Sequence, residues 1–297
     1  MRNKSLFLIS TLLLIVLAAC SPAVQAAAPA AIPQPQAAPT EAPSTPNSMP
    51  EIAIDAADFS FSVLDSIQAG WVSFTLTNSG NEPHHAQFLR LNDGVTFEQF
   101  QEALNQGEGP AMALVKLMGG VGAIAPTGSA QAILNLPAGN YVILCFLSAP
   151  ADHIPHLAKG MIKSLTVQPA SGATASEPVA DLTVILKDYS FELPESLPAG
   201  TMMIKVLNEG PETHEFNILR LAEGKTIEDV TQFLAAPDGQ PPFTPVGGMN
   251  GLDVGLSGYV EFEFEAGMYV AICNIPSPKA EGHQHFSLGM VQEITVK

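Results

Sequence analysis

Two stretches of this chain, 130 residues apart, are versions of one text. Asn78–Leu91 reads NSGNEPHHAQFLRL and Asn208–Leu221 reads NEGPETHEFNILRL, with Asn, Gly, Glu, His, Leu, Arg and Leu in register. At the same offset DFSF (Asp58–Phe61) matches DYSF (Asp188–Phe191). AGNYVILC (Ala138–Cys145) matches AGMYVAIC (Ala266–Cys273) at an offset of 128, and HLAKGM (His156–Met161) matches HFSLGM (His285–Met290) at 129. The drift falls between the matched blocks, where loops change length. A chain written this way folds one unit twice. The repeats are expected over 51–168 and 178–297, joined by a small, polar linker at 169–177.

Within each repeat most segments read as strands. IAIDAADFSF, WVSFTLTN, QAILNLPAG, YVILCFL and SLTVQ alternate or run apolar between turn residues, and LTVILKDYSF, MMIKVLN, YVEFEFEAG, YVAICNI and VQEITV do the same. One helix per repeat is expected, opening at Thr96 and at Thr226. Gln99 and Asp229, three residues on, loosely resemble capping boxes. Short strands with a single inserted helix predict an all-β chain of two tandem Greek-key sandwiches.

Residues 1–19 carry Arg2 and Lys4, then an apolar run from Leu6 to Leu17. That run is shorter than the roughly 20 apolar residues a membrane span needs. The string Leu17-Ala18-Ala19-Cys20 resembles the lipobox of bacterial lipoproteins, which implies cleavage before Cys20 and a lipid on its thiol. Residues 20–50 follow as an Ala/Pro-rich tether, since closely spaced Pro forbids helix interiors. The expectation is a lipid-anchored protein of the bacterial envelope, facing outside the cytoplasm in the periplasm or at the cell surface. Lys plus Arg is 12 against 29 Asp plus Glu, a net charge of −17. So acidic a chain repels the phosphate backbone, and no nucleic-acid partner is expected.

Beyond Cys20 each repeat has one cysteine, Cys145 and Cys273, at matching positions. Matching positions in tandem domains are not expected to lie within disulfide reach. Free thiols in an oxidising compartment then need a reason. Downstream of each comes His and then Met: Cys145, His156, Met161 and Cys273, His285, Met290. Upstream each repeat offers His84 or His214 at a strand end. Two imidazoles, a thiolate and a weak thioether are the ligands of a blue-copper electron-transfer site. His84 is preferred to His85 because only His84 aligns with His214. His156 and His285 are preferred to His153 and His283 because only they keep the spacing to Met. Gly160 and Gly289, before each Met, are expected to let backbone crowd the metal. Arg90 and Arg220 recur on a strand, and a structural salt bridge with the neighbouring acidic helix is expected of them.

With Gly139-Asn-Tyr141 to Cys145, Gly267-Met-Tyr269 to Cys273 and the doubled His-x4-Met ending, the sequence resembles the cupredoxins, the plastocyanin and azurin superfamily. The resemblance implies eight-stranded sandwiches, one type 1 copper per domain, and transfer of single electrons to and from a redox partner protein. Two features depart from the family. The Cys-to-His spacing of 10 or 11 residues is longer than in its small members, and His85 or Glu215 follows the first His where Asn is common. Copper delivery without a redox role, or a metal-free surface module, are the alternatives. No His flanks either Cys, whose neighbours are Leu144 and Phe146, Ile272 and Asn274. Further copper centres, and with them an enzyme, are therefore not expected.

Overall fold

The computed structural model describes residues 48–297; the expected signal segment, Cys20 and all but the end of the tether lie outside the described residues. In the first half the strands are β1 (Glu51–Ala57), β2 (Ser60–Ser62), β3 (Ser66–Gln68), β4 (Gly70–Asn78) and β5 (His84–Leu91). Helices α1 (Phe97–Gln106) and α2 (Glu108–Met112) follow, then β6 (Val115–Ile124), β7 (Ser129–Leu136), β8 (Gly139–Leu144) and β9 (Ile162–Gln168). The second half runs β10 (Leu182–Lys187), β11 (Ser190–Glu192), β12 (Ser196–Leu197), β13 (Gly200–Asn208) and β14 (His214–Leu221). It continues with α3 (Ile227–Ala235), β15 (Phe243–Leu252), β16 (Ser257–Phe264), β17 (Gly267–Ile272) and β18 (Val291–Val296). The order repeats, except that α2 adds one short turn after the expected helix.

The period of two decides which side chains face inward. Ile54 and Ala56 of β1 are buried while Glu51, Ala53 and Asp55 point out. In β16, Val260, Phe262 and Phe264 are buried between exposed Glu261 and Glu263. Across the first sandwich the rings of Phe74 and Phe88 meet at 4.5 Å between centroids. Burial of each such side chain contributes about 1.5–3 kcal/mol. Connections that leave one sheet and return beside a non-neighbour give the Greek-key pattern. Strand β1 pairs in parallel with β4, while β3, between them in sequence, pairs with β9 in the other sheet.

Both sheets run through both halves. One has the order β11-β10-β13-β16-β7-β4-β1-β2, the other β12-β18-β17-β14-β15-β6-β5-β8-β9-β3. The junctions are the antiparallel pairs β7–β16 and β6–β15. Strands β6 (VKLMGGVGAI) and β15 (FTPVGGMNGL) are not among the expected strands, and paired glycines do weaken a strand. Here the glycines are what let the halves approach. A Cβ on Gly122 would lie 2.8 Å from the Gly247 carbonyl carbon, and one on Gly251 would lie 2.8 Å from Leu117 Cδ2. Gln87 Nε2 donates across the seam to Gly251 O (3.0 Å), and Asn250 Nδ2 to Val121 O (2.9 Å). Segment 169–177 is fastened to both halves. Ser171 donates to Gln68 Oε1, while Glu177 accepts from Lys205 and Tyr259.

The helices cover the outer face of the second sheet. Phe100 and Ala103 of α1 pack on Leu89, Leu91, Val142 and Leu144; Val230 of α3 packs on Leu219, Leu221, Val270 and Ile272. Both loose resemblances at the N-termini are complete capping boxes, Thr96 with Gln99 and Thr226 with Asp229. Covered on both faces, β5 and β14 are buried along nearly their whole length. Arg90 bonds Asp93 in the turn beyond β5, and Arg220 bonds Glu265; neither reaches the helix.

Candidate metal centre

Strand β5 starts at His84, where its pairing with β6 is irregular, a place where strands re-aim side chains. Alternation sends His84 into the sandwich and His85 to the opposite face. Strand β8 ends just before Cys145. The loop after it folds back, with Leu157 N donating to Cys145 O and His156 N to Leu147 O. A single 3₁₀ turn, His156–Lys159, then delivers the second imidazole. The second half builds the same loop, with a 3₁₀ turn at His285–Leu288.

One donor atom from each of His84, Cys145 and His156 lies within 4.8 Å of the others, and so does one from each of His214, Cys273 and His285. His84 Nδ1 and His156 Nδ1 are 3.1 Å apart, and Cys145 Sγ is 3.5 Å from His156 Nδ1. The second set gives 3.0 Å between the two Nδ1 atoms and 3.3 Å from Cys273 Sγ to His285 Nδ1. All six residues are at most 1 % exposed. Met161 and Met290 are fully buried, and their main chains close the loop. Met161 N donates to His156 O and accepts Cys145 N at its own carbonyl, and Met290 does likewise with His285 and Cys273. His153 and His283 are exposed and stand outside both clusters.

The outward nitrogens are also engaged. His84 Nε2 meets Asp58 Oδ1 at 3.0 Å and His156 Nε2 meets Glu82 Oε2 at 2.9 Å. His214 Nε2 meets Asp188 Oδ1 at 2.7 Å and His285 Nε2 meets Glu212 Oε2 at 3.1 Å. An ionised carboxylate only accepts, so Nε2 carries the proton and the Nδ1 lone pairs face inward. In each cluster, then, two lone pairs and a thiol converge with one shareable proton among them. A soft cation that displaces that proton satisfies all three donors, so the residues present fit copper.

Electrostatics agree with this arrangement. Burial opposes ionisation of Asp58, but hydrogen bonds from Asn81, His84 and the amides of Asn81 and Glu82 outweigh it and hold the carboxyl at about 2. Burial likewise acts against ionised Glu212, and Ser277, Tyr189, His285 and Lys279 outweigh it, holding it below the usual range. Desolvation lowers His84, His214 and His285, which favours neutral rings. Burial pushes the Cys145 thiol up to about 12 and Cys273 well above its ordinary value, so only a bound cation makes either a thiolate near neutral pH.

Three groups of residues support the clusters; the first two have no role in the sequence analysis, and the third, His85 and Glu215, stands there only as a departure from the family and, for His85, as a rival ligand. Gly80 and Gly210 make room for the histidine–carboxylate pairs: a Cβ on Gly80 would lie 2.7 Å from His84 Nε2 and collide with Asp58 Oδ1. On Gly210 it would lie 2.7 Å from His214 Nε2. Asn78 Nδ2 holds the turn that presents Glu82 by donating to Glu82 O (2.8 Å) and Ile124 O (3.2 Å), and Asn208 repeats this with Glu212 O and Leu252 O. His85 and Glu215 tie their strands to the ligand loops. Phe146 N donates to His85 Nε2 (2.8 Å) and Asn274 N to Glu215 Oε1 (2.7 Å). The visible signal for the first two groups was their identity between repeats. The expectation for Gly160 and Gly289 is revised: a Cβ on Gly160 would meet Phe59 O at an ordinary 3.5 Å. What these positions demand is φ of 113° and 115° at the end of each 3₁₀ turn.

No family model matches the chain, and no curated protein does. Solved structures do. The chain is similar to a multicopper oxidase (18 % identity, 83 % of this chain and 88 % of that one, TM-score 0.24). It is also similar to auracyanin from the photosynthetic bacterium Roseiflexus castenholzii (25 % identity, 42 % and 100 %, TM-score 0.28). A Cu-containing nitrite reductase from Thermus scotoductus is a third (14 % identity, 83 % and 61 %, TM-score 0.24). The structure itself shows a Greek-key sandwich in each half of the chain, with a buried His-Cys-His cluster at one end of each, the arrangement expected of a cupredoxin-like fold. The expectation that the chain is not an enzyme is corrected here. An oxidase and a reductase stand among the similar structures beside the auracyanin, so likeness of fold does not set it apart from enzymes.

Proposed function

We propose that each half binds one type 1 copper and that the chain carries single electrons outside the cytoplasm, held to a membrane through a lipid on Cys20. The observation that carries the reading is the convergence of two Nδ1 atoms and one Sγ, fully buried, in each half. Copper bound there supplies a one-electron couple. The protein's own residues do the rest. His84, Cys145 and His156, with Met161 on the same loop, would hold the ion in the first half; His214, Cys273, His285 and Met290 would hold it in the second. Thiolate and thioether suit the reduced ion and imidazole suits both states. Loops closed by main-chain bonds keep the donors in place, so little rearrangement accompanies transfer. Burial of all donors excludes water, which limits side reactions of the reduced ion.

The test is electrochemical and optical. The copper-loaded chain shows an intense visible thiolate band and a reversible one-electron wave, and Cys145→Ala with Cys273→Ala removes both. A colourless loaded chain, or tight binding with no wave, overturns the carrier reading; the latter would support copper delivery. No helix among the described residues is long and apolar enough to cross a membrane. Mass spectrometry of the mature chain is expected to show a lipid on Cys20 that Cys20→Ser removes, and a wild-type chain without that added mass would count against the lipid anchor.

A further inference from the structure

We propose that Asp58, Glu82, Asp188 and Glu212 are positioning residues: they decide which nitrogen each ligand histidine turns inward, and their charge lowers the reduction potential of copper held there. The second clause rests on the proposed function; the first does not. All four histidines pair with a carboxylate, at 2.7–3.1 Å from Nε2, although two come from a strand and two from a loop. The pairs are built in. Asp58 is held by both Asn81 donors and by Glu82 N, and Gly80 has no side chain where one would displace the pair.

Two carboxylates sit one imidazole away from each donor cluster. The oxidised ion carries one more positive charge than the reduced ion, so negative charge at that distance favours the oxidised state. The halves differ in how that charge is offset. In the second half Lys279 Nζ reaches Asp188 Oδ2 (3.4 Å) and Glu212 Oε1 (3.3 Å), and Tyr189 and Ser277 also bond Glu212. In the first half Phe59 stands where Tyr189 does, packed on His156 at 5.1 Å, and the lysine above that ring, Lys159, pairs with Asp152 instead. Lys279 thus acts on one centre only.

Nitrogen-15 NMR of the imidazoles in the metal-free full chain at neutral pH tests the positioning role. A proton on Nε2 of all four rings is expected; a bare Nε2 with the proton on Nδ1 overturns it. Voltammetry of the copper-loaded chain tests the charge. In Glu82→Gln and Glu212→Gln the amide oxygen still accepts from Nε2, so the visible band is retained while the potential of that half alone moves positive. Lys279→Met moves the second half alone to lower potential. Unmoved potentials, or equal shifts in both halves, contradict the charge role. A wild-type chain that shows no couple overturns the carrier reading and leaves the NMR result to decide the first clause.

Discussion

A methyl group on Gly80 would stand 2.7 Å from His84 Nε2, against the pair that aims the ring. Gly80→Ala is therefore expected to weaken copper binding in the first half by about 10–100-fold, as loss of a partner behind a metal ligand does elsewhere. Competitive copper titration checks it, with the second half as internal control. Asn78 is 1 % exposed, and its side chain satisfies the buried carbonyl of Ile124 and the half-buried one of Glu82. Asn78→Ala leaves them unpaired, at a cost of about 1–3 kcal/mol, read as a lower denaturation midpoint. At this scale the donors were legible because every one is written twice. The repeat alone separates His84 from His85, and the strand's alternation supplies the reason. Asp58, Gly80 and Glu82 were equally visible as coincident letters. Their task was not, because a carboxylate has meaning only once folding brings it to the far nitrogen of a ring 26 or 74 residues away.

Local chemistry decides some elements and long-range packing decides others. In α1 the capping box is complete, with Thr96 N donating to Gln99 Oε1 (2.9 Å) and Gln99 N to Thr96 Oγ1 (3.2 Å). Thr96→Ala removes one half of it and is expected to cost about 1 kcal/mol in urea denaturation, with copper binding unchanged because α1 touches only the outer face. That helix and the alternating strands follow from short-range pattern. Strands β6 and β15 do not. Their Gly-Gly pairs, and Pro245, read locally as turns. Only the facing half of the molecule, too close for any side chain at Gly122 or Gly251, turns them into the middle of a ten-stranded sheet.

For the whole molecule that seam has a thermodynamic consequence. Two sheets and one buried apolar cluster run through both halves, from Ile54 to Val296, so neither half can lose its edge without exposing the other's. The metal-free chain is expected to unfold in one calorimetric transition, with equal calorimetric and van't Hoff enthalpies. Two resolved transitions would show halves that stand alone. The net charge of −17 adds a field that favours basic partners and weakens with salt. The account as a whole stands on three donors meeting at one point in each half. Copper quantification combined with copper-edge X-ray absorption on the loaded full chain reads this directly. The account predicts two coppers per chain, each with one sulfur at short distance and two imidazole nitrogens, falling to one copper in Cys145→Ala or Cys273→Ala. Copper surrounded by oxygen donors without sulfur, or a stoichiometry indifferent to both cysteines, would contradict it.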